Sequence, residues 1–129
     1  MNKILVEVSI GELLDKISIL EIKKEKIIDA EKLKFINNEY NILKEQLDNN
    51  IKTDEKLNKL FNSLKEINAK LWVIEDDKRM CEKNSDFGEK FTKLSRDVHF
   101  FNDDRAKIKL EINNYTGSKI KEIKEYTNY

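Results

Sequence analysis

Apolar residues recur along this chain at steps of three and four almost from end to end, the spacing that lines one face of an α-helix. Ile10, Leu13, Ile17 and Leu20 open the pattern, and Leu14, Ile19 and Ile22 widen the face. So broad a face predicts a first helix contacted from two sides. Leu33, Ile36, Tyr40, Leu43 and Leu47 form a second seam. Leu57, Leu60, Leu64, Ile67, Leu71 and Ile74 form a third, which alternates three and four throughout. The longest runs from Phe87 through Phe91, Leu94, Val98, Phe101, Arg105, Ile108 and Ile112 to Tyr115. The last two seams hold an a/d heptad register, as in a coiled coil. The pattern predicts an all-α chain: an elongated antiparallel bundle of four main helices near 9–28, 30–49, 54–83 and 86–116, with a short C-terminal helix near 118–126.

The punctuation between seams supports this division. Ser9-Ile10-Gly11-Glu12 reads as a capping box, in which serine and glutamate satisfy each other's free backbone N–H groups. Asp86 with Glu89 offers a second box, Gly117 is a natural residue just past a helix end, and Ser118 can cap the short last helix. Helix 2 ends at Asp48-Asn49-Asn50, and helix 3 restarts at Thr53 or Asp54. Between helices 1 and 2 two readings stand: Asp29 caps a new helix, or one kinked helix continues. Two long helices joined at Asn84-Ser85-Asp86 predict an antiparallel hairpin, with helices 1 and 2 packed on it. Ile4 to Val8 alternate only briefly. They are either a leader to helix 1 or a short extended segment, and a strand there needs a second subunit or the bundle as its partner.

Composition narrows the class. A length of 129 residues predicts one domain. The absence of proline and the presence of only three glycines favour long unbroken helices. The 25 basic and 25 acidic residues cancel, which argues against nucleic acid as a partner. No run approaches the roughly 20 apolar residues of a membrane span, and Glu7 interrupts the N-terminal run too early for a signal peptide. The single Cys81 suits a reducing, cytoplasmic compartment.

Arg105 is the one interruption of the fourth seam. A guanidinium among core positions needs a partner, because an unpaired buried charge is very costly. The candidates that helix geometry brings near it are the middle of helix 3 around Asn68 and the carboxylates Glu12, Asp15 and Glu21 of helix 1. Three readings follow. A buried salt-bridge network fixes helix register. Alternatively, Arg105, Arg96, Lys109 and Asn102 line a pocket for an anion. In the third, Arg105 snorkels to solvent. The candidate polar cluster is Glu12, Asp15, Lys16, Glu75, Asp76, Arg79, Arg96, Asn102, Arg105 and Lys109. Glu12-Leu13-Leu14-Asp15 and Glu122-Ile123-Lys124-Glu125 are similar to the paired acidic motifs of all-helical nucleotide pyrophosphatases. In a chain with 25 acidic residues such spacings arise by chance, so no metal site is assigned. His99 reads as a partly buried, hydrogen-bonded imidazole. Cys81 reads as a small core hydrophobe, and Trp72 as packing under helix 1 or 2. Lys119, Lys121 and Lys124 alternate with Glu122 and Glu125, the mark of a solvated face.

The stretch from Val6 to Ile17 resembles the opening of a small uncharacterised bacterial and phage family, a domain of unknown function. So do Leu71-Trp72-Val73-Ile74-Glu75-Asp76 with Arg79, and Asn102-Asp103-Asp104-Arg105-Ala106 with Lys109, Asn113, Gly117-Ser118 and Tyr126. The resemblance implies no activity. Its members occur among genes for glycosyltransferases and surface polysaccharides, an association without a mechanism. The family often carries proline after the aspartate that matches Asp29, where this chain has Ala30, and this favours a helix start there. Polar residues in matching blocks on three helices raise the ligand-pocket reading.

No catalytic, nucleotide or cofactor motif stands out, and the balance leans away from an enzyme. The leading expectation is a helical interaction or structural module that self-associates as a homodimer. The alternative is a binding protein or enzyme for an anionic small molecule, such as a nucleotide, nucleotide sugar or sugar phosphate, at the polar cluster around Arg105.

Overall fold

The computed structural model describes residues 1–129. It contains four helices and no strand: α1 (Ile10–Lys26), α2 (Ala30–Asn50), α3 (Glu55–Lys83) and α4 (Glu89–Thr116). None is long and apolar enough to cross a membrane. Three helix starts carry side-chain caps, at Ser9 as the sequence predicts and at Asp29 and Asp54, each one of two readings the sequence leaves open. Ser9 Oγ accepts the Glu12 N–H at 3.0 Å, Asp29 Oδ1 that of Lys32 at 3.0 Å, and Asp54 Oδ1 that of Leu57 at 2.8 Å. Such caps satisfy donors that have no partner inside the helix. Helices 1 and 2 are therefore separate, joined through the extended Ile27 rather than by a kink. Only half of the first capping box forms, because the Glu12 carboxylate turns to Lys109.

Two boundaries differ from the reading above. The fourth helix begins at Glu89 rather than 86, and its N-cap is Gly88, without a side-chain cap. The Asp86 N–H is already spent on the Cys81 carbonyl at 2.8 Å, closing the end of α3 around Ser85, which sits in the left-handed region at φ 53°. Asp86 Oδ1 accepts from Gly88 N at 3.4 Å instead of from Glu89. The short C-terminal helix is absent, and residues 118–129 follow α4 without helical structure. The Ser118 hydroxyl that was to cap it accepts the Ile10 N–H at 3.1 Å and donates to the Ile120 carbonyl at 2.7 Å. So short a helix, deprived of its cap, does not form in isolation. Instead the tail lies back along α4. Tyr129 donates its hydroxyl to Asp103 and stacks edge-on against Phe100 at 5.5 Å.

α3 is about 43 Å long at 1.5 Å per residue, and with α4 it forms the hairpin; Lys70 lies over Phe101 and Lys78 over Phe91. α1 packs against all three other helices, which accounts for its broad apolar face. α2 runs antiparallel to α1, with Lys24 over the Tyr40 ring at 4.0 Å, and approaches no other helix at backbone distance. The core joins Leu14 and Ile17 of α1, Leu47 of α2, Leu57 and Leu64 of α3, and Ile112 of α4. Both ends of the α4 seam, Phe87 and Tyr115, are exposed. Cys81 is buried as read, whereas His99 is exposed and outside the core, one position away from the seam residue Val98.

Candidate functional site

A close approach of two backbones sets the site. Gly11, in the first turn of α1, donates its N–H to Asn113 Oδ1 of α4 at 2.7 Å. A β-carbon built on Gly11 would lie 2.6 Å from the Lys109 carbonyl oxygen, so only glycine fits. One turn further on, Asp15 faces Arg105 ninety residues away in the chain, so α1 and α4 run antiparallel here.

Asp15 is 1% exposed and carries most of the polar contacts at this level. Arg105 donates Nε to Asp15 Oδ1 at 3.0 Å and a terminal nitrogen to Oδ2, a side-on pairing that holds the guanidinium plane. Asn68 of α3 donates Nδ2 to Asp15 Oδ1 and to Ser18 Oγ, both at 2.8 Å. The Ser18 hydroxyl in turn donates to the Asp15 carbonyl at 2.7 Å. Lys109, 7% exposed, donates Nζ to Glu12 at 2.6 Å and to Glu122 at 3.2 Å, and lies 3.6 Å from Asp15 Oδ2. No buried side-chain nitrogen or oxygen is left without a partner, so this low-dielectric network is fully satisfied.

The electrostatics follow from that geometry. Burial by itself pushes the Asp15 carboxyl up. The hydrogen bonds from Arg105 and Asn68, with the charges of Arg105 and Lys109, outweigh it and hold the group below the usual carboxylate range. Burial likewise works against the charge on Lys109, but Glu12, Asp15 and Glu122 raise its pKa above the ordinary lysine value. The bond to Lys109 lowers Glu122.

On the outer side of Arg105 lies an open cleft of about 550 Å³ between α1, α3 and α4. Its apolar lining is Ile19, Ile22, Leu71 and Trp72; its polar lining is Asn68, Glu75, Asp76, Arg79, Asn102 and Arg105. Arg79 pairs with Glu75 at 3.2 Å on the same helix face. The remaining terminal nitrogen of Arg105 lies 3.5 Å from Asn102 Oδ1, at the limit of a hydrogen bond. No three His, Cys, Asp or Glu side chains converge in a way that would hold a metal ion.

This arrangement spans nearly the whole length over which the chain matches a known family model, residues 4–129. The chain belongs to a family of unknown function, DUF6165. No curated protein and no solved structure matches it.

The structure thus divides this family member's candidate residues between two places. Glu12, Asp15, Arg105 and Lys109 form the buried network. Glu75, Asp76, Arg79 and Asn102 line the cleft, and Arg105 belongs to both. Lys16 stays at the rim, about half exposed, 3.8 Å from Glu12. Arg96 is exposed and lines neither place. It precedes Arg105 by nine residues, about 13 Å along the helix, which removes it from the pocket proposed with Arg105. Lys109 is also absent from that cleft, since its amine faces Glu12 and the tail. The Glu12/Asp15 pair faces these two cations and offers no open carboxylate couple. Trp72, half-buried, lines the cleft together with Ile19 and Ile22 of α1.

Ser18 was not singled out from the sequence, and Asn113 was named only through the family resemblance. Ser18 and Asn113 did leave a signal. Serine and asparagine are poor helix-interior residues, and here each adjoins a core position, Ile17 or Ile112. Glu122 reads in the sequence as one of a chance acidic pair on a solvated face; its bond to Lys109 runs across the helix end at Gly117, beyond the reach of local spacing.

Proposed function

We propose that the protein binds a small polar molecule carrying a single anionic group in the cleft between α1, α3 and α4. The observation that carries this reading is the double engagement of Arg105. Its Nε and one terminal nitrogen are fixed by Asp15, while the same side chain lines the cleft beside Asn102. A guanidinium already locked in place loses little entropy when it takes a ligand's anion, the condition for a preorganised contact. The cleft volume lies within the range of small-molecule sites, and its composition fits them: an apolar lining with a few convergent polar groups.

The charges narrow the ligand. Arg105 is balanced by Asp15 and Arg79 by Glu75, which leaves Asp76 unbalanced among the lining residues. Such a site does not suit a polyphosphate. It suits one anion at Arg105, hydroxyl or amino groups at Asp76, Asn68 and Asn102, and a flat apolar face against Trp72. A sugar monophosphate or a mononucleotide has that chemistry. No nucleophile paired with a base lines the cleft, so binding rather than bond-breaking is the activity proposed.

Trp72 is the only tryptophan and reports directly on the site. Titration with sugar monophosphates, mononucleotides and nucleotide sugars should change its emission and raise the melting temperature for the two classes with a single phosphate group. Asp76→Asn and Arg79→Ala, both at exposed residues, should weaken that response about tenfold and leave the unliganded melting temperature unchanged. A panel that moves neither Trp72 emission nor melting would overturn the reading.

A further inference from the structure

The N-terminal segment is rich in apolar residues, forms neither helix nor strand, and is uncovered. Ile4, Leu5 and Val6 are 90%, 87% and 75% exposed, and Val8 41%. None of residues 1–8 gives or receives a backbone–backbone hydrogen bond. The match to the family begins at residue 4, so residues 4–8 of this segment lie within the family's pattern. A run rich in β-branched residues with unpaired backbone on both sides is competent to add as a strand to a partner. Of the two partners that the sequence leaves open, the structure excludes the bundle of the same chain.

We propose that residues 3–7 pair antiparallel with the same residues of a second copy, centred on Leu5. The register follows from charge. In an antiparallel self-pairing, opposed residue numbers have a constant sum, and a two-fold axis makes every contact occur twice. Centring on Leu5 opposes Lys3 to Glu7 at both ends, Ile4 to Val6, and Leu5 to its own copy. Lys3 and Glu7 are exposed and join no ion pair within their own chain. Shifting the centre to Val6 would oppose Glu7 to Leu5 and leave both charges unmatched. In the favoured register Ile4, Val6 and Val8 share one face of the ribbon, because side chains alternate along a strand. A bare two-stranded ribbon is marginal, so that face needs cover. Apolar side chains of the tail stand at the same end of the bundle, since Ser118 is bonded to Ile10 and exposed Ile120 and Ile123 follow it. The partner is a second copy, and the antiparallel charge match is what selects it.

Light scattering on the eluting full chain tests this. The native protein should run at twice its 15.3 kDa at tens of micromolar. Leu5→Pro removes a strand N–H and should give a monomer with unchanged far-UV circular dichroism, because residue 5 packs on nothing. K3E and E7K each oppose like charges and should each weaken dimerisation about tenfold or more. Mixed one to one, they should restore it, since each reversed charge then meets its complement. A native chain that stays monomeric into the high micromolar range overturns the proposal. So does a dimer that survives Leu5→Pro, for example one held by the exposed Phe35 and Ile42 of α2. A mixture that fails to restore association overturns the register.

Discussion

Replacing Gly11 with alanine probes the contact on which the whole polar network rests. The added β-carbon would sit 2.6 Å from the Lys109 carbonyl oxygen and 2.9 Å from Asn113 Oδ1, where ordinary contact starts at 3.4 Å. The first neighbour is backbone and cannot swing aside, so α1 and α4 must part by about 0.8 Å at this level. Overpacking of this kind costs about 1–3 kcal/mol. Parting also stretches the 2.7 Å bond from Gly11 N to Asn113, and a buried amide left unpaired costs about 1–3 kcal/mol more. Against this, alanine is a better helix former than glycine by at most about 1 kcal/mol, and by less in a first turn. The sum is a loss of about 1–6 kcal/mol, centred near 3. At roughly 3–5 °C per kcal/mol for a domain of this size, the melting temperature should fall by about 10 °C. Urea unfolding followed by circular dichroism and by Trp72 emission measures it. Gly88→Ala is the control: its nearest neighbour would be Asp86 Oδ1 at 3.7 Å, and its stability should change by less than about 0.5 kcal/mol. If Gly11→Ala matches the native protein in stability, the helices are not in the close contact described.

Other expectations follow from the same structure. Asp15 has a folded pKa below its unfolded value of about 3.9, so its contribution is complete above that value and is lost as pH falls through the folded pKa. Lys109, raised above its unfolded value of about 10.4, contributes fully below that and loses its share as pH climbs past the folded pKa. Asp15→Asn should therefore flatten the acid limb of a stability–pH curve. It should also cost about 3–5 kcal/mol at neutral pH by leaving Arg105 and Lys109 short of a countercharge; denaturant midpoints across pH would reveal a limb that stays steep. Ala30→Pro should stabilise by about 0.4–1 kcal/mol, because the first helical position needs no N–H and Asp29, at φ −65° and ψ 119°, already has the backbone that precedes proline. A lowered melting temperature would contradict the assigned start of α2. Ser85→Gly should raise stability by about 1 kcal/mol by relieving a left-handed serine, and equilibrium unfolding would register a loss if the α3–α4 turn were built otherwise.

Exposed, unpartnered features lie at the N-terminal segment, and solvent-open polar groups lie in the cleft. The interior polar groups are all satisfied. This separation explains why one residue, Arg105, can serve both stability and a site: its inner edge is spent on Asp15 and its outer edge is not. It also means that variants of Arg105 itself would confound folding with binding, whereas Asp76 and Arg79 can be altered from the solvent side.

The repeating steps of three and four determined by themselves that this chain is helical, where its seams lie, and that α1 presents a face too wide for a single neighbour. Short-range chemistry in the sequence also pointed to the cap at Ser9 and the left-handed end at Gly117, and it offered Asp29 and Asp54 as caps among alternatives that the structure decides. These are legible because a helix bonds residues only a few positions apart. The need for a carboxylate opposite Arg105 was legible too, since a charge in a core position cannot stand alone. Which carboxylate, among Glu12, Asp15 and Glu21, only the tertiary structure decided, because the choice depends on the rotation and axial offset of α1 against α4, set in part by Gly11. The same through-space competition decided three outcomes at odds with the local pattern. Ser118 gave its hydroxyl to α1 and left the tail without a helix cap. Asp86 closed α3 and delayed α4. Arg96, on a plausible helix face, ended up in solvent because no element packs over it there.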